Sequence, residues 1–304
     1  MKTIFVSIAN YKDSEVHNTV NELITKKSGK NHVKICVFSQ IDLEDDEFDN
    51  LDIIPEVEHV KVDYKLAKGV CWARAQAQKY YTNEDYYLQI DSHIVFTDNW
   101  DSKLIEDHDK ALTFGRKAII TAYPCAYEFN EEGERFIPFQ AATRFDMNVV
   151  NIIPSAAAKF IEDTDMPELE YFIAGGFFFT TGDIVENVPY DEELFFLGEE
   201  ISLAIRAYTA GYLIFSPTQF ICAHLYQVAQ RKGKERPVFW DSKEDRERKM
   251  NFKLRDQTSL IKTSLICRGF WHGKYGIQDQ NLYREFAKRI NLLHPIVKLS
   301  KVII

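Results

Sequence analysis

Asp85-Tyr86-Tyr87-Leu88-Gln89-Ile90-Asp91-Ser92-His93, DYYLQIDSH, is a hydrophobic run that stops at an acid and an imidazole two residues apart, and IVFTDNWD follows it. Aromatic and aliphatic residues of this length read as a buried strand. In an open parallel sheet, ligands sit beyond the carboxyl ends of the strands. Residues i and i+2 of an extended backbone point the same way, so Asp91 and His93 are placed to face one ion. A carboxylate with an imidazole suits a divalent metal, Mn²⁺ or Mg²⁺, that also holds phosphate oxygens. The triplet alone also reads as Asp91 capping a turn beside an ordinary surface histidine.

Working outward, strands are expected at TIFVSIAN (3–10), VKICVFSQ (33–40), VEHVKVDY (57–64), YYLQID (86–91) and KAIITAYP (117–124). Helices are expected between them. Val16, Val20, Leu23 and Ile24 share one helical face, Gly69 opens GVCWARAQAQKYY, and Asn99 stands as N-cap of the helix that starts NWDSKL. This alternation predicts an α/β fold, with a mostly parallel central sheet and helices on both faces. Residues 126–170 read as loop and cover strands. YFIAGGFFFT (171–180) is apolar around a glycine pair. The next helix carries Ile201, Ala204, Ile205 and Tyr208 on one face, with Gly211 as its C-cap, and YLIFSP then reads as a strand. Residues 230–253 are strongly charged and read as a flap or linker, and the tail from Asp279 reads as helical.

The chain has 304 residues, enough for one large α/β domain with an appendage. Its net charge of −9 argues against a general nucleic-acid binder, which needs a basic face to neutralise phosphates. No uncharged apolar run reaches membrane-spanning length, and the apolar run in MKTIFVSIANYKDSE is too short, without a small-residue cleavage site, to read as a signal peptide. The five cysteines are widely spaced without a CxxC pair, as expected of free, buried thiols in a cytoplasmic protein. The acidic run 42–52 lacks the glycine and final glutamate of a calcium loop and reads as a solvated loop. In the terminal KRINLLHPIVKLSKVII, Pro295 interrupts any amphipathic helix. A docking tail or a dimer contact is therefore expected there, ahead of a membrane-lying helix.

Other residues fit the same chemistry, each with a plainer reading beside it. His224, in CAHLYQ, either completes a metal set or is structural. Glu199 and Glu200 stand at a helix start, where the macrodipole alone favours acids. Gly175 and Gly176 allow close backbone approach to a ligand, or serve a bulge or tight packing. Arg74 is placed to meet a diphosphate, or is salt-bridged.

In order along the chain, VSIANYKDSEVHNTV, ARAQAQ, YYLQIDSH, the block AGGFFFTTGDIVENVPYDEELFFLGEEISLAIRAYTAGY and HLY resemble the GT-A-fold glycosyltransferase family of cytoplasmic Skp1-type (hydroxyproline) polypeptide N-acetylglucosaminyltransferases. More distantly, they resemble the polypeptide N-acetylgalactosaminyltransferases, with their D-x-H, AGG, GGEN and GHVFR segments. The resemblance covers about residues 1–228, making these the expected catalytic domain and 229–304 a C-terminal extension. It implies a retaining transferase that uses a UDP-sugar and a divalent metal. By position, Asp91, His93 and His224 are the implied metal ligands. Ser7, Ile8, Ala9 and Tyr11 are implied beside uridine, and Asp13 and Arg74 near ribose or diphosphate. Gly175 and Gly176 are implied on the sugar and acceptor side. Glu199 matches the glutamate of GGEN and is expected to bind donor sugar hydroxyls or support an oxocarbenium-like state. Glu200 stands where the distant family has asparagine. No enzymic nucleophile is evident, so front-side attack is implied.

The leading expectation is therefore transfer of N-acetylglucosamine from UDP-GlcNAc to a protein or glycan acceptor. A sugar nucleotidyltransferase would carry a glycine-rich loop after the first strand, and SIANYKDSE has no glycine. A non-catalytic sugar-nucleotide-binding or carbohydrate-binding protein on the same scaffold is the other alternative, and it would never release UDP.

Overall fold

The computed structural model describes residues 1–44, 46–149, 153–226, 237–239, 246–247 and 250–292. Five of the main strands fall where the sequence places them: β1 (Thr3–Tyr11), β2 (His32–Ile41), β3 (Val57–Asp63), β4 (Tyr86–Asp91) and, after the short β5 (Ile94–Phe96), β6 (Lys117–Thr121). The segment 125–161 holds the short strands β7 (Cys125–Ala126), β8 (Glu128–Phe129) and β9 (Arg135–Phe136), then the antiparallel pair β10 (Ala142–Asn148) and β11 (Ser155–Ile161). β12 (Leu169–Glu170), β13 (Phe177–Thr181), β14 (Tyr212–Phe215) and β15 (Cys222–His224) complete the described strands.

Among the described residues the main sheet has eight strands, ordered β12-β14-β6-β13-β4-β1-β2-β3. β3, β2, β1 and β4 run parallel, as do β6 and β14, while β13 and the edge strand β12 are antiparallel to their neighbours. The sheet is thus mostly parallel, as expected. β13 is the strand whose direction the sequence pattern did not indicate, because a short apolar run carries no signal of direction. β15 belongs to a separate three-stranded sheet, between β5 and β7.

Helices cover both faces. β1 explains why, since period-2 alternation sends Ile4, Val6 and Ile8 to one side and Phe5 to the other. The first side packs on α1 (Val16–Thr25) and α3 (Trp100–Leu112), through Val16, Val20, Leu23, Trp100 and Leu104. The other side packs on α2 (Val70–Ala77) and, after the one-turn α4 (Ile184–Asn187), on α5 (Glu199–Thr209). α6 (Phe252–Cys267) and α7 (Gln280–Arg289) join that same buried cluster through Ile266, Cys267, Tyr283 and Phe286.

Three local expectations change. Asn99 holds the N-cap position of α3 but is left-handed, at φ 59°, and makes no side-chain cap; its backbone N–H donates to Lys26 O at 2.7 Å. α5 is buried all round rather than on one face, because α6 and α7 cover the side that a two-layer packing would expose. Gly211 lies one residue past the C-cap, Ala210, in the left-handed conformation that ends many helices. The acidic run holds a 3₁₀ turn (Asp46–Leu51), and Asp49 and Asp52 both pair with Lys61 of β3 at 2.6 Å. All five cysteines are free and buried, and no described helix is long and apolar enough to cross a membrane. The charged residues 230–236, 240–245 and 248–249 and the terminal residues 293–304 lie outside the described residues.

His108 of α3 is fully buried, edge-on to the stacked rings of Tyr86 and Phe179, 5.5 and 6.0 Å away. Burial pulls its pKa below the ordinary 6.5. The folded state therefore binds fewer protons than the unfolded chain, so this stability is fully present above pH 6.5 and falls as the pH drops. His108→Leu is expected to shrink the loss of melting temperature between pH 7.5 and 5.5, read from thermal unfolding at both. An unchanged loss would refute it.

Candidate functional site

β4 ends at Asp91, and the chain bends through Ser92 and His93 before β5 begins. The two side chains converge across this bend, not along the extended backbone assumed from sequence. β5 pairs antiparallel with β15, which sets His224 opposite Ile94, and Leu225 N–H donates to His93 O at 3.1 Å. Strand pairing thus brings residues 133 positions apart together, with His224 Nε2 3.1 Å from Asp91 Oδ2. Ligand atoms of Asp91, His93 and His224 all lie within 4.8 Å of one another, the one such group among the described residues.

The cluster is held by charged neighbours. Asp13 is nearly fully buried; its Oδ2 lies 2.8 Å from His93 Nδ1 and accepts from Ser92 Oγ at 2.9 Å. Arg74, 4% exposed, donates through NH2 to Asp91 Oδ1 at 2.7 Å and through NH1 to Glu199 Oε1. Arg74 therefore serves the two carboxylates as a fork, on the inner side of the cluster. Burial alone would raise the Asp91 carboxyl, but the hydrogen bond from His224 and the charge of Arg74 hold it well below the usual carboxylate range.

Glu199 opens α5 and also accepts from Tyr190 OH at 2.7 Å, and Gln89 of β4 donates to Tyr190 OH and to Gly175 O at 2.6 Å. Glu200 accepts from Gly175 N–H at 2.8 Å and from Tyr123 OH. Burial pushes the Glu200 carboxyl up to about 7. Tyr123, Tyr190 and Gln89 escaped the sequence reading. Gln89 alone had a signal, since it shares the face of Asp91 on β4.

Two cavities meet at the cluster. One, about 610 Å³, runs past Gly175, Gly176, Glu199 and Glu200 toward apolar walls at Phe172, Ile153 and Leu260. The other, about 290 Å³, is lined by Ala9, Tyr11, Asp13, Gln40, His93 and Phe239. Arg74, Asp91, His224, Tyr226 and Phe196 line both. Ala9, Tyr11 and Asp13 line the second of these. Ser7 and Ile8 do not; both are fully buried in β1 and line neither cavity. Ile8 points to the opposite face of the sheet from Ala9, and Ser7 lies one side-chain pair deeper along the strand.

The glycine pair is needed for contact with charge. A Cβ on Gly175 would come within 2.6 Å of Arg74 NH1, and one on Gly176 within 2.5 Å of Asp91 Oδ2. Gly176→Ala is expected to push the Asp91 carboxylate aside and to cost roughly 1–3 kcal/mol by overpacking. Urea unfolding checks the cost, and a midpoint equal to wild type would refute the close contact.

A sequence model of the family described as "Glycosyltransferase (GlcNAc)" matches residues 3–55 and 49–286, across the expected domain boundary. No curated protein sequence matches significantly. Among solved structures, GalNAc-T7 with UDP, GalNAc and Mn²⁺ superposes with a TM-score of 0.60 at 16% identity, over 95% of this chain and 55% of that one. This chain therefore spans about half the length of GalNAc-T7. S. aureus TarS 1-349 in complex with UDP-GlcNAc gives a TM-score of only 0.47 at 12% identity, over 87% of this chain and 73% of that one, too low to carry an argument. The GalNAc-T7 superposition shows the GT-A glycosyltransferase fold. Since the family model matches residues 3–55 and 49–286, nearly the whole chain, the chain belongs to the GlcNAc glycosyltransferase family.

Proposed function

We propose that the protein transfers N-acetylglucosamine from UDP-GlcNAc to a hydroxyl on a protein or glycan, with retention and with a divalent cation, Mn²⁺ or else Mg²⁺. The observation that carries this reading is the cluster of Asp91, His93 and His224 at the seam of two cavities. One cavity is sized for a nucleotide and the other for a sugar with its acceptor. The family description names GlcNAc, and the GalNAc-T7 structure holds UDP and Mn²⁺.

The donor set fits such a cation. Two ligands at right angles on an ion with bonds of roughly 2.0–2.1 Å lie about 3 Å apart, and His224 Nε2 and Asp91 Oδ2 are 3.1 Å apart. Arg74 occupies Asp91 Oδ1, which directs Oδ2 to the cation. Asp13 takes the Nδ1 side of His93, so ligation by that ring runs through Nε2. When bound, the cation neutralises charge on the departing diphosphate as a Lewis acid.

The chain's own residues do the rest. Ala9, Tyr11 and Gln40 form the wall for the base, and Asp13 fixes His93. Gly175 and Gly176 bring the backbone against the sugar. Glu199 takes donor sugar hydroxyls through Oε2, while Oε1 stays with Arg74 and Tyr190. Glu200, with a carboxyl near 7, exchanges a proton at neutral pH beside the acceptor cavity. No side chain is assigned as nucleophile, so attack comes from the face the UDP leaves. A protein hydroxyl in the cytoplasm, as implied by the resemblance to hydroxyproline-linked transferases, is the acceptor we favour, and the five unbridged cysteines suit that compartment.

The test is UDP release from a panel of UDP-sugars without acceptor, with Mn²⁺ and with chelator. Slow release from UDP-GlcNAc that chelator stops is the expected result. Tight UDP-GlcNAc binding with no release, even with acceptor peptides and glycans present, would make the chain a binding protein.

A further inference from the structure

α6 carries none of the motifs read from the sequence, yet it grips the segment that presents Glu199. Its Ser259 Oγ accepts from Phe195 N–H at 2.7 Å and donates to Arg255 O at 2.9 Å. One turn on, Lys262 Nζ lies 2.7 Å from Asp191 Oδ2 and donates to Glu193 Oε2 at 2.7 Å. Thr263 packs on Gly198, where a Cβ would come within 2.4 Å of Thr263 Oγ1 and where φ is +83°. Neither the left-handed turn nor the close packing admits a side chain at 198. Three contacts on one helical face thus fix residues 191–198, directly before Glu199.

Lys262 is the strongest of the three. It is 8% exposed, and its ammonium also lies over the rings of Trp271 and Tyr275, 5.1 and 5.5 Å from their centroids. Asp191 is 1% exposed, and a buried charge persists only with a partner. Asp191 adjoins Tyr190, whose hydroxyl holds Glu199 Oε1, which in turn holds Arg74 and through it Asp91. Short polar contacts, joined by the peptide link between Tyr190 and Asp191, therefore lead from α6 to the cluster.

We propose that Lys262 is a positioning residue for Glu199: its pairing with Asp191 and Glu193, supported by Ser259, sets the Tyr190–Glu199 segment in register with Arg74 and the Asp91 cluster. The turn that opens α5 is shaped by a helix more than fifty residues later in the chain. The consequence for activity rests on the UDP-sugar transfer reading, whereas the clamp itself does not.

The experiment compares wild type, Lys262→Met, Lys262→Arg, Ser259→Ala and the charge-neutral double variant Lys262→Met/Asp191→Asn. The full-length protein is used throughout. Hydrogen exchange of residues 190–200 is read beside kcat and KM for UDP release with Mn²⁺. Lys262→Met and the double variant are expected to speed exchange in that segment at least tenfold and to lower kcat at least tenfold, with KM within twofold of wild type. Lys262→Arg, which keeps the charge, is expected to recover most of both losses. Ser259→Ala is expected to give a smaller change of the same kind. The double variant leaves no buried unpaired acid at 191, so it answers if the single variant fails to fold. Wild-type exchange in a folded Lys262→Met or double variant would overturn the clamp, as would equal falls in kcat/KM and thermal midpoint that Lys262→Arg does not reverse. A wild-type protein that releases no UDP from any donor, but whose variants still exchange faster, would refute the transfer reading and leave the clamp standing.

Discussion

Asp91→Asn is expected to lower Mn²⁺-dependent UDP release by roughly three orders of magnitude while leaving the protein folded. Neutralising a leaving diphosphate is worth several kcal/mol, and each 1.36 kcal/mol is about a factor of ten in rate. The substituted amide would keep the shape and an acceptor for Arg74, which retains Glu199 as its charged partner. His93→Ala and His224→Ala are expected to lose activity on the same scale. His224→Ala also removes the ring contact with Tyr226, at 4.2 Å between centroids, and so melts somewhat lower. UDP release over a Mn²⁺ titration, beside near-UV circular dichroism, checks all three. Wild-type rates in the folded variants would remove the cluster from the chemistry.

The second large effect is on stability. Arg74→Met is expected to cost about 3–5 kcal/mol, because it strands Glu199, 3% exposed, without its counter-charge. Arg74→Lys is expected to recover only part of this, since one ammonium cannot reproduce a fork that reaches Asp91 and Glu199 in different directions. Arg74→Met with Glu199→Gln is expected to be more stable than Arg74→Met alone, giving a coupling energy by double-mutant cycle. Urea unfolding of wild type, Arg74→Met, Glu199→Gln and the double variant supplies the cycle, with Arg74→Lys measured beside them. Additive losses would mean that the two side chains do not support one another.

How much of this was legible beforehand depended on the range of the signal. Strands β1 to β4 and β6 were read from β-branched and aromatic runs, and helices α1 to α3 from apolar spacing, an opening glycine and an asparagine at the N-cap, all local features. The direction of β13 was not, because only its neighbours β4 and β6 fix it. Asp91, His93 and His224 were identified from position and resemblance, and the structure gathers them, though across a bend instead of along a strand. The resemblance implied Ser7, Ile8, Ala9 and Tyr11 together beside uridine, but a strand sends alternate residues to opposite faces, so Ile8 turns away from the cavity that Ala9 and Tyr11 line. Tyr123, Tyr190 and Lys262 gave no signal, because each acts through partners far along the chain.

The 133-residue interval between Asp91 and His224 also has a meaning for biosynthesis. At about 5–20 residues per second of translation, His224 leaves the ribosome roughly 7 to 27 s after Asp91. Throughout that interval the nascent chain holds Asp91, Arg74 and His93 without the strand that completes the cluster. The cluster therefore cannot form in any product that ends before His224.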